Sequence, residues 1–284
     1  MPDRLPDFPF ESHYTTFEDI RLAYLDEGEG APVVFVHGEP TWSFLWRKVL
    51  VPVRDAGYRC IAPDLPGFGR SDKPTDVGWY TYDRHTAALT SLLESLDVRE
   101  ATIVVHDWGG PVGLRAAVQA PERVARMVIL DTGLFTGRQT MTEAWKAFRD
   151  FVACTEDLPV GFLVRGGCHR DPGEEVIAAY ETPFPDAASK AGARAFPLML
   201  PTSPEMPGAE AGQRTLDALR TDPRPKLMLW ADSDPVLPLE TGHRFAAALN
   251  GEVAHVIADA GHFLQEDAGP QIGGLIADWL ASQP

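Results

Sequence analysis

The 284 residues carry a formal net charge of −16, with 41 acidic against 25 basic side chains, and 44% of them are hydrophobic. That balance denies a nucleic-acid backbone or an anionic membrane the Lys/Arg surface it rewards, and the apolar share suffices for one large core. The three cysteines, Cys60, Cys154 and Cys168, are odd in number and lack CxxC spacing, so neither a disulfide framework nor a zinc site is expected, and nothing implies a metal or a cofactor.

The opening stretch MPDRLPDFPFESHY lacks a basic region followed by an apolar one, and no apolar run approaches the about 18 residues that span a bilayer. A cytoplasmic monomer is therefore the expectation. Residues 18–30 (EDIRLAYLDEGEG) read as a strand entering a turn, an antiparallel edge hairpin. Short apolar runs follow at 32–36, 60–64, 101–105, 126–131, 226–232 and 253–259, alternating with helical patterns such as TAALTSLLESL at 86–96. Continuous Val/Ile/Leu runs between amphipathic helices predict an α/β fold, a mostly parallel sheet covered on both faces. The alternation breaks between Gly133 and Asp217, where MTEAWKAFRDFVA and GEEVIAAYE look helical and prolines and glycines punctuate the rest. The division expected is a core of 1–132 and 218–284 with a helical cap, 133–217, over the carboxyl edge of the sheet, where ligands bind in open α/β folds.

The stretch IVVHDWGGPVGLRAAV, 103–118, predicts a strand, a sharp turn and a helix, with Asp107 at the bend. An aspartate there is most simply a helix cap. The same layout also builds a nucleophile elbow, which holds its central side chain above the sheet edge and needs small residues on the helix side, here Gly109 and Gly110. The serine form, G-x-S-x-G, occurs nowhere in the chain, and Val105 stands where it has its first glycine. On this fold an acid and a histidine follow the nucleophile in that order. Asp232 and Asp234 follow the run at 226, and His262 follows the last run, past a glycine. The other seven histidines, His37 and His106 among them, have weaker claims.

HGEPTWSFLWRKV (37–49), APDLPGFGRSDKP (62–74), VVHDWGG (104–110), the Asp234 loop and ADAGHFLQE (258–266) together resemble the haloalkane dehalogenases of the α/β-hydrolase superfamily. The subfamily with glutamate in HGEP and its acid after the seventh strand is the most similar. The resemblance extends into the cap at EAWKAF (143–148) and 183–197. It implies an eight-stranded α/β-hydrolase sheet with a cap inserted after the sixth strand. It makes Asp107 the nucleophile, His262 the base and Asp234 the acid. The backbone N–H groups of Glu39 and Trp108 would form the oxyanion hole, the indoles of Trp108 and Trp145 would hold the halide, and Phe196 and Pro197 would line the pocket. His106 stands where some relatives carry glutamine. Asp131 occupies the place from which another subfamily supplies its acid. Both positions are acidic here, and the glutamate at 39 favours Asp234.

The chemistry suits these residue types. In-line displacement at a saturated carbon needs a nucleophile already charged at neutral pH, which a carboxylate is. The expelled halide, a diffuse anion, is met in a dry pocket by indole N–H groups at modest desolvation cost. An alkyl ester on Asp107 would then be hydrolysed by water activated at His262, whose tautomer Asp234 fixes.

An epoxide hydrolase is the nearest alternative. Its ring opening usually draws on two cap tyrosines, and 133–217 contains one, Tyr180. A fluoroacetate dehalogenase would carry arginine where Trp108 stands. A non-catalytic binding protein on the same fold would not need the nucleophile, acid, base and indole pair all present.

Overall fold

The apolar runs become strands because their branched side chains fill both faces of a pleated surface. They are β1 (His13–Phe17), β2 (Ile20–Glu27), β3 (Pro32–Val36), β4 (Arg59–Pro63), β5 (Ala101–His106), β6 (Val124–Leu130), β7 (Lys226–Ala231) and β8 (His255–Ile257). They form one sheet in the order β1-β2-β4-β3-β5-β6-β7-β8. The structure, a computed structural model, describes residues 5–141 and 143–283; the first four residues of the opening stretch, Thr142 of the MTEAWKAFRDFVA segment and Pro284 lie outside the described residues.

β2 pairs antiparallel with β1 and with β4, and every pairing from β4 across to β8 is parallel. The strand expected within 18–30 is β2, but its hairpin partner is β1, which precedes it, and not the strand beyond the turn that follows: β3 pairs with β4 and β5. The outer strand, β1, escapes the apolar pattern because HYTTF is mostly exposed and carries little hydrophobic signal. The strand order reverses between β3 and β5, so the loops after those two strands flank the crevice where open α/β sheets bind ligands.

Helices α1 (Arg47–Asp55), α2 (Tyr82–Ser95) and α3 (Gly109–Gln119) alternate with the first strands. Between β6 and β7 lie α4 (Glu143–Cys154), α5 (Val160–Gly167), α6 (Glu174–Glu181), α7 (Ala191–Met199) and α8 (Ala209–Arg220). Two of these, α5 and α7, arise where prolines and glycines had suggested irregular chain. In α7 the alanines favour helix and the buried face of Ala193 and Phe196 compensates for Pro197 within it. α8 runs on through residue 217 and packs on α3.

The last helices are α9 (Leu239–Ala248) and α10 (Leu264–Ala281). α10 packs along α1, and the fully buried Arg47 and Glu266 join them through a bidentate ion pair, one arm of which is Nη2 to Oε2 at 2.9 Å. Lys48 Nζ reaches the same carboxylate at 2.9 Å. No helix among the described residues is long and apolar enough to cross a membrane.

Candidate active site

β5 ends at His106, and the next residue turns the chain into α3. Asp107 has φ 49°, a left-handed conformation that costs a non-glycine residue of order 1–3 kcal/mol. Surrounding bonds hold it there. Its amide donates to the Asp131 carbonyl at 3.1 Å, and its own carbonyl accepts from Gly110 N–H at 2.9 Å and from Thr132 Oγ1 at 2.5 Å. The turn fits because the neighbouring chain is bare: a Cβ on Gly109 would stand 2.0 Å from the Val36 carbonyl oxygen, and one on Gly38 would stand 2.2 Å from Asp107 Oδ1.

The helix-cap reading of Asp107 fails. The N-cap of α3 is Trp108, and no side chain caps it. The Asp107 carboxylate instead faces the loops after β3 and β8. Its Oδ1 accepts the Glu39 amide at 2.8 Å, and the Trp108 amide also donates to the carboxylate. Its Oδ2 lies 3.5 Å from His262 Nε2. Burial opposes its ionisation, but the hydrogen bond and charge of His262 outweigh burial and hold the acid below the usual aspartate range.

His262 sits in the turn between β8 and α10, and its Nδ1 donates to Asp234 Oδ2 at 2.8 Å. Asp234 follows β7; its Oδ1 accepts the amides of Val236 at 2.6 Å and Leu237 at 2.9 Å, so the carboxylate cannot rotate away. Burial opposes both charges. The Asp234 and Asp107 carboxylates nevertheless raise the His262 pKa well above its ordinary value, and His262 in turn lowers that of Asp234. Asp107, His262 and Asp234 are thus brought together, in the orientation in which an acid fixes an imidazole and the imidazole faces a carboxylate. Glu39 contributes more than its amide. Its side chain is buried, with Oε1 lacking a hydrogen-bond partner, and burial together with the Asp107 charge raises its pKa well above the usual range.

An aromatic stack begins at Trp108, the residue after the carboxylate. The Phe196 ring on α7 stacks on Trp108 (centroids 4.9 Å, 19° between planes), on Phe68 (5.0 Å) and on His85 (4.5 Å). Pro197, one residue on, is also buried. Trp145 lies half-buried on α4, packed on the main core, and α4 packs against α7. α7 thus packs on the helix that carries Trp145 and, through Phe196, on the indole at position 108.

Three contacts around the site were not legible in the residue pattern. His106 Nε2 donates to the His262 carbonyl at 2.8 Å; burial lowers its pKa to about 3, so it is a neutral strut. Asp267 accepts the Gly261 amide at 3.0 Å and the amides of His169 and Arg170 at 2.8 and 2.9 Å, tying the histidine turn to the segment after α5. Asp131 accepts the Ala231 amide at 3.0 Å, and its carboxyl lies beside that of Asp234, in a cluster with His262 whose polar atoms fall within 4.8 Å of one another. Only the acidity of Asp131 at a strand end hinted at any of these.

The family model described as alpha/beta hydrolase fold matches residues 31–153. A haloalkane dehalogenase of Mycolicibacterium paratuberculosis is 40% identical over 98% of this chain and 95% of its own length. A cis-3-alkyl-4-alkyloxetan-2-one decarboxylase of Shewanella oneidensis is 34% identical over 93% of this chain and 86% of its own. Among solved structures, a tetrameric haloalkane dehalogenase from Paraglaciecola agarilytica NO2 matches with a TM-score of 0.90 and 32% identity, covering 98% of this chain and 95% of that one. With the elbow, the strand order and full-length relatives in agreement, the chain belongs to the haloalkane dehalogenases of the α/β-hydrolase fold.

Proposed function

We propose that the chain hydrolyses haloalkanes to an alcohol, a halide and a proton through a covalent ester on Asp107. The observation that carries this reading is the half-buried Asp107 carboxylate, with the Glu39 amide on one oxygen and an imidazole facing the other. Oδ2 attacks the halogen-bearing carbon in line, the C–O bond forms as the C–X bond breaks, and the halide departs with the electron pair. The indole N–H groups of Trp108 and Trp145 receive it, and Phe196 and Pro197 line the space for the alkyl chain. The helical segment 133–217 acts as the cap that excludes water during this step.

Esterification removes the Asp107 charge that helped hold the His262 proton. The imidazole then releases that proton to solvent and becomes the base for the second step. It takes a proton from water, and the hydroxide adds to the ester carbonyl carbon. The negative oxygen stays on the Glu39 and Trp108 amides, each worth on the order of 3 kcal/mol in such a hole. Collapse breaks the bond to the alkyl oxygen, which leaves with the added hydroxyl's proton as the alcohol and restores the carboxylate beside an imidazolium. Asp234 stabilises that cation without taking its proton.

One chain supplies every group named, and the working unit proposed is a monomer acting in the cytoplasm without cofactor, metal or nucleic acid. Sedimentation tests the monomer against the tetrameric state of the Paraglaciecola relative. The activity test is a panel of chloro-, bromo- and iodoalkanes assayed for halide and proton release, run beside an epoxide panel and an alkyl oxetan-2-one. Stoichiometric halide and alcohol are expected. Turnover of an epoxide or the oxetanone with no halide from any haloalkane would overturn the reading, and so would no turnover at all.

A further inference from the structure

Asp131 has no part in the steps above, yet it is a fully buried carboxyl group beneath the imidazole. It follows β6 with φ 26°, and its carboxyl lies where ligand-type atoms of Asp131, Asp234 and His262 all fall within 4.8 Å of one another. Its carboxyl and that of Asp234 are buried side by side, close enough to repel if both are ionised. Such a pair is relieved when one carboxyl keeps a proton and donates it to the other.

The donors around each group decide which one. Asp234 already accepts two amides on Oδ1 and the imidazole N–H on Oδ2, three donors that favour its anion. Asp131 accepts one amide, from Ala231. The charges nearby are few. From β5 and its turn come neutral His106 and anionic Asp107; from the turn before α10 comes His262, the cation that serves both Asp107 and Asp234. From the loop after β7 come Asp234 and the largely exposed Asp232, whose carboxylate is engaged with the amides of Asp259 and Ala260. A third anion against one imidazolium would be left buried and uncompensated.

We propose that Asp131 keeps a proton through the catalytic cycle and donates it as a hydrogen bond to Asp234, which makes it a positioning residue for the acid of the triad. The inference rests on the reading of Asp234 and His262 as acid and base. Burial and the Asp234 charge both push the Asp131 carboxyl well above the usual range. The proton has a consequence for hydrolysis. An ionised Asp131 would add a second carboxylate charge behind His262 and hold its proton more tightly, when the second step needs that imidazole neutral. A neutral donor fixes the acid without that penalty.

Two variants and one spectrum test the arrangement. Asp131→Asn keeps the shape, an N–H donor for Asp234 and a carbonyl for Ala231; Asp131→Val keeps the volume and removes both. The expected result is that Asp131→Val slows hydrolysis of the alkyl ester about tenfold, the scale of a lost hydrogen bond to a charged group, while the first-turnover halide burst persists. Asp131→Asn restores most of that loss. The infrared spectrum of the resting wild-type enzyme at neutral pH, labelled with carbon-13 aspartate, should contain a protonated-carboxyl band that Asp131→Asn removes. Glu39 contributes a band of its own, which the aspartate label does not shift. An aspartate band missing from the wild type, or retained in Asp131→Asn, overturns the proposal, as does an asparagine variant as slow as the valine one. Because the band is read in the resting protein, it decides the proton even if the valine variant does not fold. A wild type that releases no halide would refute the activity instead.

Discussion

The Tyr180 hydroxyl on α6 donates to Glu266 Oε1 on α10 at 2.6 Å, inside the buried pair that Glu266 makes with Arg47. The segment 133–217 has no other tyrosine, so this contact commits that hydroxyl to holding the insertion on the core. Tyr180→Phe is expected to lower stability in urea by about 1.5–3 kcal/mol, the range for a hydrogen bond to a charged group, and to leave halide release in place. A loss of epoxide turnover with no loss of stability would show the hydroxyl acting at the reacting centre.

His262→Gln leaves Asp107 free to attack but removes the base. After incubation with a bromoalkane, intact-protein mass spectrometry should show the chain heavier by one alkyl group, with about one equivalent of bromide released. Bromide release beside an unmodified mass would exclude the ester.

Trp145→Phe should weaken bromide binding, read from tryptophan fluorescence quenching, because one N–H donor to the ion is lost. Unchanged affinity would remove Trp145 from the halide site.

The opposite shifts of Asp107 and His262 separate the two steps by pH. The pKa of Asp107, the proposed nucleophile, is held below the ordinary aspartate value, so the single-turnover halide burst is expected to stay flat down to about pH 4. The base is held protonated by Asp234 and Asp107, and esterification removes the second of these. The sign follows: hydrolysis needs the neutral imidazole, so kcat falls as pH drops through the His262 pKa of the ester form while the burst does not. A burst that fell in parallel with kcat would place the titration on the nucleophile.

Gly38→Ala places a methyl group on the nucleophile, 2.2 Å from Oδ1. Displacing a reacting atom by about 1 Å costs about 100-fold, so halide release should drop by that factor or more in a protein whose circular dichroism is unchanged. Full activity would mean that the carboxylate has room to move.

The parallel strands and the elbow were legible because each is local: a run of branched apolar residues, or an aspartate followed by two glycines. The order of Asp107, Asp234 and His262 along the chain carried the proposed triad for the same reason, each lying just past a strand end. α5 and α7 were hidden because burial of their apolar faces against the core offsets the glycines and the proline within them, which the local pattern reads as breakers. β1 was hidden because an exposed edge strand needs no apolar pattern. The pairings of Asp131 with Asp234, His106 with the His262 carbonyl and Tyr180 with Glu266 join residues 103, 156 and 86 positions apart, a separation no pattern within one segment can register.

Asp267 gathers amides from Gly261, His169 and Arg170 on one carboxylate, so the same side chain anchors both the base-bearing turn and the end of an insertion helix. A chimaera that imports a relative's lid to change substrate preference therefore cannot treat it as a detachable cassette. The transplant has to present two amides in the same place, or the loss will surface as a displaced imidazole rather than as altered specificity.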